Sequence, residues 1–315
     1  MDNTVNNNAG LNPMNGKAAR KIEIRQLTLL SLTFGAFLIS FSGVWVKVAH
    51  VAPNVSAFYR VFIAGVALLA AALYRRELRW PGTRHLLLSL VCGLLLALDL
   101  WLYHYSIQYI GPGLGTILPN FQVFILAAVG ILFLKEPVRL LYLISLPLAF
   151  VGLFMIVGLN WSQLEPTYRI GVIYGLAAAV CYAGFLLSLR QLQAAQMGTS
   201  FFYVLMLVSL TTAAFLGADV VLKRGSFQIP DLQTALALAA LGLLSHTVGW
   251  ILITNALPKI RASLSGLILL LQPALAFVWD VLFFQRPTTL VNWLGVIIAL
   301  IAIYMGMARQ SDSGH

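Results

Sequence analysis

Stretches of about 20 apolar residues, each long enough to cross the hydrocarbon of a bilayer, recur almost end to end along this chain of 315 residues. Ten can be drawn, at 27–46, 54–74, 86–108, 114–134, 140–158, 170–189, 200–222, 234–256, 263–284 and 290–308. Their length and the lack of strict alternation exclude the short strands of a membrane barrel. Composition closes off the soluble alternative. With 60% hydrophobic and 10% charged residues, the chain lacks the polar surface that a water-soluble fold presents. The expected fold class is all-α: a polytopic membrane protein of ten transmembrane helices.

The connectors carry stop signals such as Pro53, Trp80-Pro81-Gly82, Gly111-Pro112-Gly113, Glu136-Pro137, Pro230-Asp231 and Arg286-Pro287. None is long enough for a separate soluble domain. Residues 1–26 form a polar N-terminal segment, with 1–16 expected disordered and 17–26 a basic flank. Residues 309–315 form a short tail. The first apolar stretch exceeds a signal peptide's core, so it is expected to persist as a spanning helix.

A net charge of +10 raises the question of nucleic acid. The basic residues form no single patch but sit between apolar runs, where they set topology. With the N-terminus placed inside, Lys17, Arg20, Lys21, Arg25, Arg75, Arg76, Arg79, Arg84, Lys135, Arg139, Arg190, Lys259, Arg261 and Arg309 fall on the inner side, 14 of the 20 Lys and Arg residues. Both termini are therefore expected in the cytoplasm, with the chain in the inner (plasma) membrane of a bacterial-type cell. The two cysteines, Cys92 and Cys181, lie within apolar stretches and read as packing residues. No metal-ligand spacing, HExxH or Ser/His/Asp cluster occurs. No cofactor is expected. The chain also lacks a GxxxxGK[ST] phosphate loop, so any transport energy comes from a gradient.

The two halves echo each other. Trp101 matches Trp250 at an offset of 149, and Gln122 matches Gln272 at 150. The second register also aligns Lys135-Glu136-Pro137 with Gln285-Arg286-Pro287, and Met155 with Met305. Phe58-Tyr59-Arg60 lies over Phe201-Phe202-Tyr203 at 143. Five helices duplicated make an inverted repeat, because an odd number of crossings turns the second copy over. The expected repeats are 27–158 and 165–308.

Ten helices in 5+5 halves, with Gly111-Pro112-Gly113-Leu114-Gly115-Thr116 leading into an apolar helix closed by Lys135-Glu136-Pro137, resemble the drug/metabolite transporter superfamily of EamA type. Ala256-Leu257 through Arg261-Ala262-Ser263-Leu264 resembles the same feature in the second half, where Arg286 stands in place of the usual Glu. The resemblance covers about 21–308. It implies a secondary carrier, usually an exporter, of amino acids, related metabolites or drugs.

Polar side chains at membrane depth are costly and mark functional sites or interhelical bonds. Asp99 in helix 3, with Tyr103 and Ser106 on its face, is the candidate for proton coupling. Substrate-binding candidates are Trp101, Tyr103, His104, Asn120, Gln122, Tyr182, His246, Trp250 and Gln272. Trp101 and Trp250, if they face each other across the repeat axis, make a sandwich for a flat, apolar or cationic group. Pro119 and Pro273 free backbone groups beside Asn120 and Gln272, which makes helices 4 and 9 the expected cavity walls. Arg60 and Asp280 are candidates for an outer gate. Gly171 and Gly175 make a GxxxG packing motif in helix 6. The partners expected are a small-molecule substrate, protons and lipid, with helices 5 and 10 left to support the bundle or to join two copies as a homodimer. The functional expectation is a secondary transporter exporting an amino acid or related metabolite by alternating access. The alternatives are a membrane-embedded enzyme and a non-transporting scaffold.

Overall fold

The computed structural model describes residues 13–78, 82–137, 140–157, 166–194 and 201–308, and every regular element among them is helical. Ten apolar rods follow in order: α1 Glu23–Val48, α2 Pro53–Tyr74, α3 Thr83–Ile110, α4 Gly115–Leu132, α5 Leu140–Ile156, α6 Tyr168–Ala194, α7 Phe202–Leu222, α8 Leu232–Lys259, α9 Ala262–Phe284 and α10 Leu290–Gly306. Eight are long and apolar enough to cross a membrane, and α5 and α10 are shorter apolar helices. In lipid a helix satisfies its own backbone, so apolar runs of this length have no competing regular structure.

Two boundaries differ from expectation. Helix extends back to Pro13, so residues 13–26 are continuous with α1 rather than a disordered segment and flank. Ala18, Ala19, Arg20, Lys21 and Glu23 are helix formers that carry the helix beyond the apolar run. The α3–α4 connection also stays helical from Thr83 to Ile117, yet the chain reverses within it. A Cβ on Gly115 would lie 3.0 Å from the Ile107 Cα, where a straight helix would set those residues about 12 Å apart.

Packing follows the duplication. α1 lies against α8 as α3 lies against α6, and α2 meets α8 as α7 meets α3. α2–α7, α4–α9 and α5–α10 pair each helix with its own counterpart. Four non-glycine residues among those described take left-handed backbone: Arg76 (φ 56°), Lys135 (51°), Arg224 (53°) and Gln285 (50°). Arg76 and Arg224 close α2 and α7, and Lys135 and Gln285 close α4 and α9. Each cap of this kind carries a steric penalty on an L-residue, and both occur at repeat-related ends.

The apolar interior holds a large cluster centred on α1, α3, α6, α7 and α8 that also takes in Leu68, Leu126, Leu264, Ile268 and Leu269, a second among α4, α5, α9 and α10, and two smaller ones around Leu241 and Val61. Gly152 and Gly295 bring α5 and α10 together so closely that a Cβ on either would lie 2.6 Å from the other's carbonyl oxygen. The obstacle is backbone, so the helices themselves must separate. Gly152→Leu is expected to lower stability by about 1–3 kcal/mol, the usual cost of overpacking, read as a lower midpoint of thermal unfolding in detergent. Gly171 and Gly175 serve the expected close contact, packing against Ile110 and Leu118 respectively.

Outside the bundle, Asp231 caps α8 by accepting from the Thr234 N–H at 2.6 Å, and its other oxygen meets His50 Nδ1 at 2.9 Å. The His50 and Thr234 hydrogen bonds hold the Asp231 carboxyl down at about 2, below its ordinary 3.8. A carboxyl depressed by folding stabilises the fold above its unfolded pKa, and that contribution fades as pH falls toward the folded value. The melting difference between wild type and Asp231→Asn is therefore expected to be level from about pH 5 to 6 and to shrink toward about pH 2.

Candidate functional site

A cavity of about 640 Å³ runs into the bundle between the halves. Its walls come from α1, α2, α3, α4, α5, α6, α8 and α9. α4 contributes Thr116, Ile117, Pro119 and Asn120, and α9 contributes Gln272, Pro273, Ala276, Phe277 and Asp280. The two proline-broken helices thus line it as expected, and their polar side chains Thr116, Asn120 and Gln272 face an open space rather than lipid. The apolar surface comes from Leu96, Leu100, Leu153, Ile156, Trp250 and Phe277.

Three levels can be distinguished. At the mouth, where α1 and α9 end, Lys47 Nζ forms an ion pair with Asp280, and Arg286 Nη1 lies 3.5 Å from the same carboxylate. Lys47 also sits over the Phe284 ring at 4.7 Å. Beside it, Trp279 stacks on Phe41 at 4.3 Å and donates from Nε1 to Ser40 Oγ at 2.8 Å, which ties α9 to α1. In the middle are Arg60 from α2, Asp99 and Tyr103 from α3, Tyr182 from α6, His246 from α8 and Gln272 from α9. Arg60 Nε donates to His246 Nδ1 at 3.3 Å, and Tyr182 and Gln272 line the same space. Asp99 is 7% exposed, and its Oδ1 has no hydrogen-bond partner among the described residues. Trp250, 4% exposed, lies edge-on to the Phe185 ring at 4.9 Å.

Beyond the cavity the opposite end is shut. Glu136 follows α4 and accepts from the backbone N–H groups of Ala262 and Ser263 at 2.7 and 3.2 Å, and from Ser263 Oγ at 2.7 Å. These are the first residues of α9, whose N–H groups have no partner inside the helix. Arg190 at the end of α6 lies 3.7 Å from Glu136, and Arg261 donates to the Pro137 carbonyl at 3.1 Å. One carboxylate joins three helix ends.

The structure brings Arg60, Asp99, Tyr103, Asn120, Tyr182, His246, Trp250, Gln272 and Asp280 to one cavity. It does not bring in Trp101, His104 or Gln122. Trp101 donates to Asp219 at 3.1 Å and packs edge-on against Tyr105 at 4.5 Å, so it does not face Trp250. The repeat axis relates their positions in sequence, but the α3 ring turns toward α7. His104 Nδ1 bonds the Leu100 carbonyl of its own helix. Gln122 is wholly buried away from the cavity. Ser106, expected on the face of Asp99, instead donates to the Gly171 carbonyl at 2.9 Å between α3 and α6. Arg60 and Asp280 do not pair: Asp280 holds Lys47 and Arg286, while Arg60 lies deeper beside His246. Lys47 is not among the residues that the sequence singles out, and Arg286 stands out only as a helix-stop residue in place of the usual Glu. α5, assigned to support, contributes Leu153 and Ile156 to the wall.

The EamA-like transporter family model matches the chain twice, over residues 26–158 and 169–307. The chain belongs to the EamA-like transporter family. Each match spans five of the rods, one half of the packing scheme. Among curated proteins, the EamA-like chain is similar to the uncharacterized transporter YxxF of Bacillus subtilis (strain 168), 23% identical over 274 residues that cover 83% of this chain and 85% of that one. A crystal structure described only as that of a protein superposes with a TM-score of 0.76 at 15% identity, covering 89% of this chain and 98% of the other. That likeness shows the fold alone. With eight spanning-length helices, family membership makes this EamA-like chain a multi-pass membrane protein of transporter type, with a small molecule as the substrate class and lipid as its surroundings.

Proposed function

We propose that the protein is a secondary carrier that exports an amino acid or related small metabolite by alternating access, with all ten rods crossing the inner membrane as two inverted repeats, 27–158 and 165–308. The carrying observation is the cavity itself. With Lys47, Asp280 and Arg286 paired at the mouth, its middle holds a cation, Arg60, and a buried carboxylate, Asp99, whose Oδ1 has no partner among the described residues, beside an apolar wall. Unlike charges on neighbouring walls match the two ends of a zwitterion, and Trp250, Phe277 and Leu96 suit an apolar side chain. Asp99 binds the ammonium group when ionised and is vacated when a proton takes its place, which couples export to proton entry.

Orientation follows from charge. Arg75, Arg76, Arg84, Lys135, Arg190, Lys259 and Arg261 lie at helix ends on the side that Glu136 seals, and such residues favour the cytoplasm. The arrangement described is then the outward-facing one, with both termini inside. In the repeats, α1–α8 and α3–α6 are equivalent contacts that exchange conformations as access alternates.

The test is flux of labelled L-leucine and a broad amino-acid and metabolite panel in liposomes containing the purified protein, with and without a pH gradient. Gradient-dependent flux of a zwitterionic member supports the reading. No flux of any member overturns it.

A further inference from the structure

Arg60 is held by a chain of hydrogen bonds that crosses three helices. Its Nε donates to His246 Nδ1 at 3.3 Å, and His246 Nε2 lies 3.4 Å from Ser209 Oγ on α7. A guanidinium only donates. His246 Nδ1 must therefore accept, which leaves the proton on Nε2 and makes Ser209 Oγ the acceptor. His246 and Ser209 are 3% and 1% exposed. The Trp250 Nε1–H, one turn along α8 with its ring 6.3 Å from that of His246, has no partner among the described residues. A buried donor without an acceptor is costly, and its residue lines the same cavity as Arg60.

The charged and titratable groups on elements packed against this part of α8 are Arg60 and Tyr59 on α2 and Lys47 on α1, with Asp99, Tyr103 and Tyr182 sharing the cavity. Tyr59 is engaged with the Phe227 carbonyl and Lys47 with Asp280. Arg60 alone reaches His246. A second proton on His246 removes the acceptor that Arg60 uses and sets two cations side by side. An anion between them relieves the repulsion and takes up the donors that Arg60, His246 and Trp250 then present.

We propose that the carboxylate end of the substrate binds Arg60, His246 and Trp250 together, and that His246 takes up a proton at Nδ1 as the anion enters. The proposal rests on the cavity being the substrate site. By linkage, if the anion raises proton affinity at His246, the proton raises anion affinity by the same factor. Asp99 and His246 respond to protons with opposite sign for the two ends of a zwitterion, so a singly charged probe is needed to isolate His246.

The probe is 4-methylpentanoate, with binding to purified full-length protein in detergent followed by calorimetry from about pH 8 to about pH 5.5, the window in which a histidine switch operates. Affinity is expected to rise about tenfold or more as pH falls, within the usual range for coupled sites. The same rise is expected in Asp99→Asn, which excludes the carboxylate as its source. In His246→Asn, whose amide oxygen takes the place of Nδ1 as acceptor, binding is expected to persist with a flat profile. His246→Gln, checked by thermal unfolding alongside, serves if the Asn variant does not fold. A slope retained in the folded His246 variant, or lost in Asp99→Asn, overturns the proposal. Absence of 4-methylpentanoate and L-leucine binding at every pH instead overturns the cavity as the substrate site.

Discussion

Replacing Arg60 with Ala is expected to weaken binding of a carboxylate-bearing substrate by about 2–5 kcal/mol, roughly 30-fold or more in Kd, while the protein still folds. The reason is position. Arg60 stands on α2 two turns in from the mouth, its Nε held by His246 and, among the described residues, no carboxylate within ion-pair distance. It is a cation at membrane depth without a counter-ion at contact range among those residues, and such a charge is retained for a ligand. Arg60→Lys keeps the charge but loses the planar fork that grips a carboxylate by two oxygens, so an intermediate loss is expected.

Asp99 makes the complementary case. Asp99→Asn is expected to spare 4-methylpentanoate and to weaken 3-methylbutylamine, while Arg60→Ala does the reverse; L-leucine loses affinity in both. Calorimetry with the three probes reads the two ends of the site separately. If Arg60→Ala weakened the amine as much as the acid, the damage would be general and the assignment of Arg60 to the carboxylate end would fail.

The contrast between Arg60 and Trp101 marks how far the sequence could be read. Apolar run length gives the helices and stop signals their ends, because in lipid the backbone has only one regular way to pair its groups. The weak echoes between halves led to the repeat, which the packing scheme and the paired left-handed caps after α2 and α7 and after α4 and α9 both follow. Pro119 and Pro273 stand on the helices expected as cavity walls, and both line the cavity. What failed was rotation about a helix axis. Trp101, His104 and Gln122 are on the right helices at the right depth, yet each is turned away from the cavity. Rotation is set by neighbours such as Asp219, which takes the Trp101 N–H, and a partner more than a hundred residues distant leaves no local signal. The gate candidates part for the same reason: only the fold gives Asp280 the partners Lys47 and Arg286 and leaves Arg60 with His246.

Replacing Glu136 with Ala is expected to unlatch the sealed end. The carboxylate accepts two backbone N–H groups and a hydroxyl from the start of α9 and neighbours Arg190. It meets α9 where unpaired N–H groups and the helix dipole favour a negative charge. Hydrogen bonds to a charged group are worth about 1.5–3 kcal/mol each and do not add fully, so the loss of the latch is expected to amount to about 2–4 kcal/mol. That shifts a two-state equilibrium by roughly 30-fold to several-hundred-fold, enough to populate an arrangement that is minor in the wild type. Lys135 and Lys259 flank the latch and are exposed, so spin labels at Lys135→Cys and Lys259→Cys, in a background with Cys92 and Cys181 replaced by Ala, report its opening. Wild type is expected to give one short distance and Glu136→Ala a second, longer one. Glu136→Gln retains part of the hydrogen bonding and is expected to fall between. Because Arg286 occupies the equivalent place in the second half, Glu136 has no counterpart there, and the mouth is held by the Lys47–Asp280–Arg286 cluster together with the Trp279 contacts to Ser40 and Phe41. An unchanged distance distribution in Glu136→Ala, with melting lowered all the same, would make Glu136 a fastening of the fold and not a latch of the transport cycle.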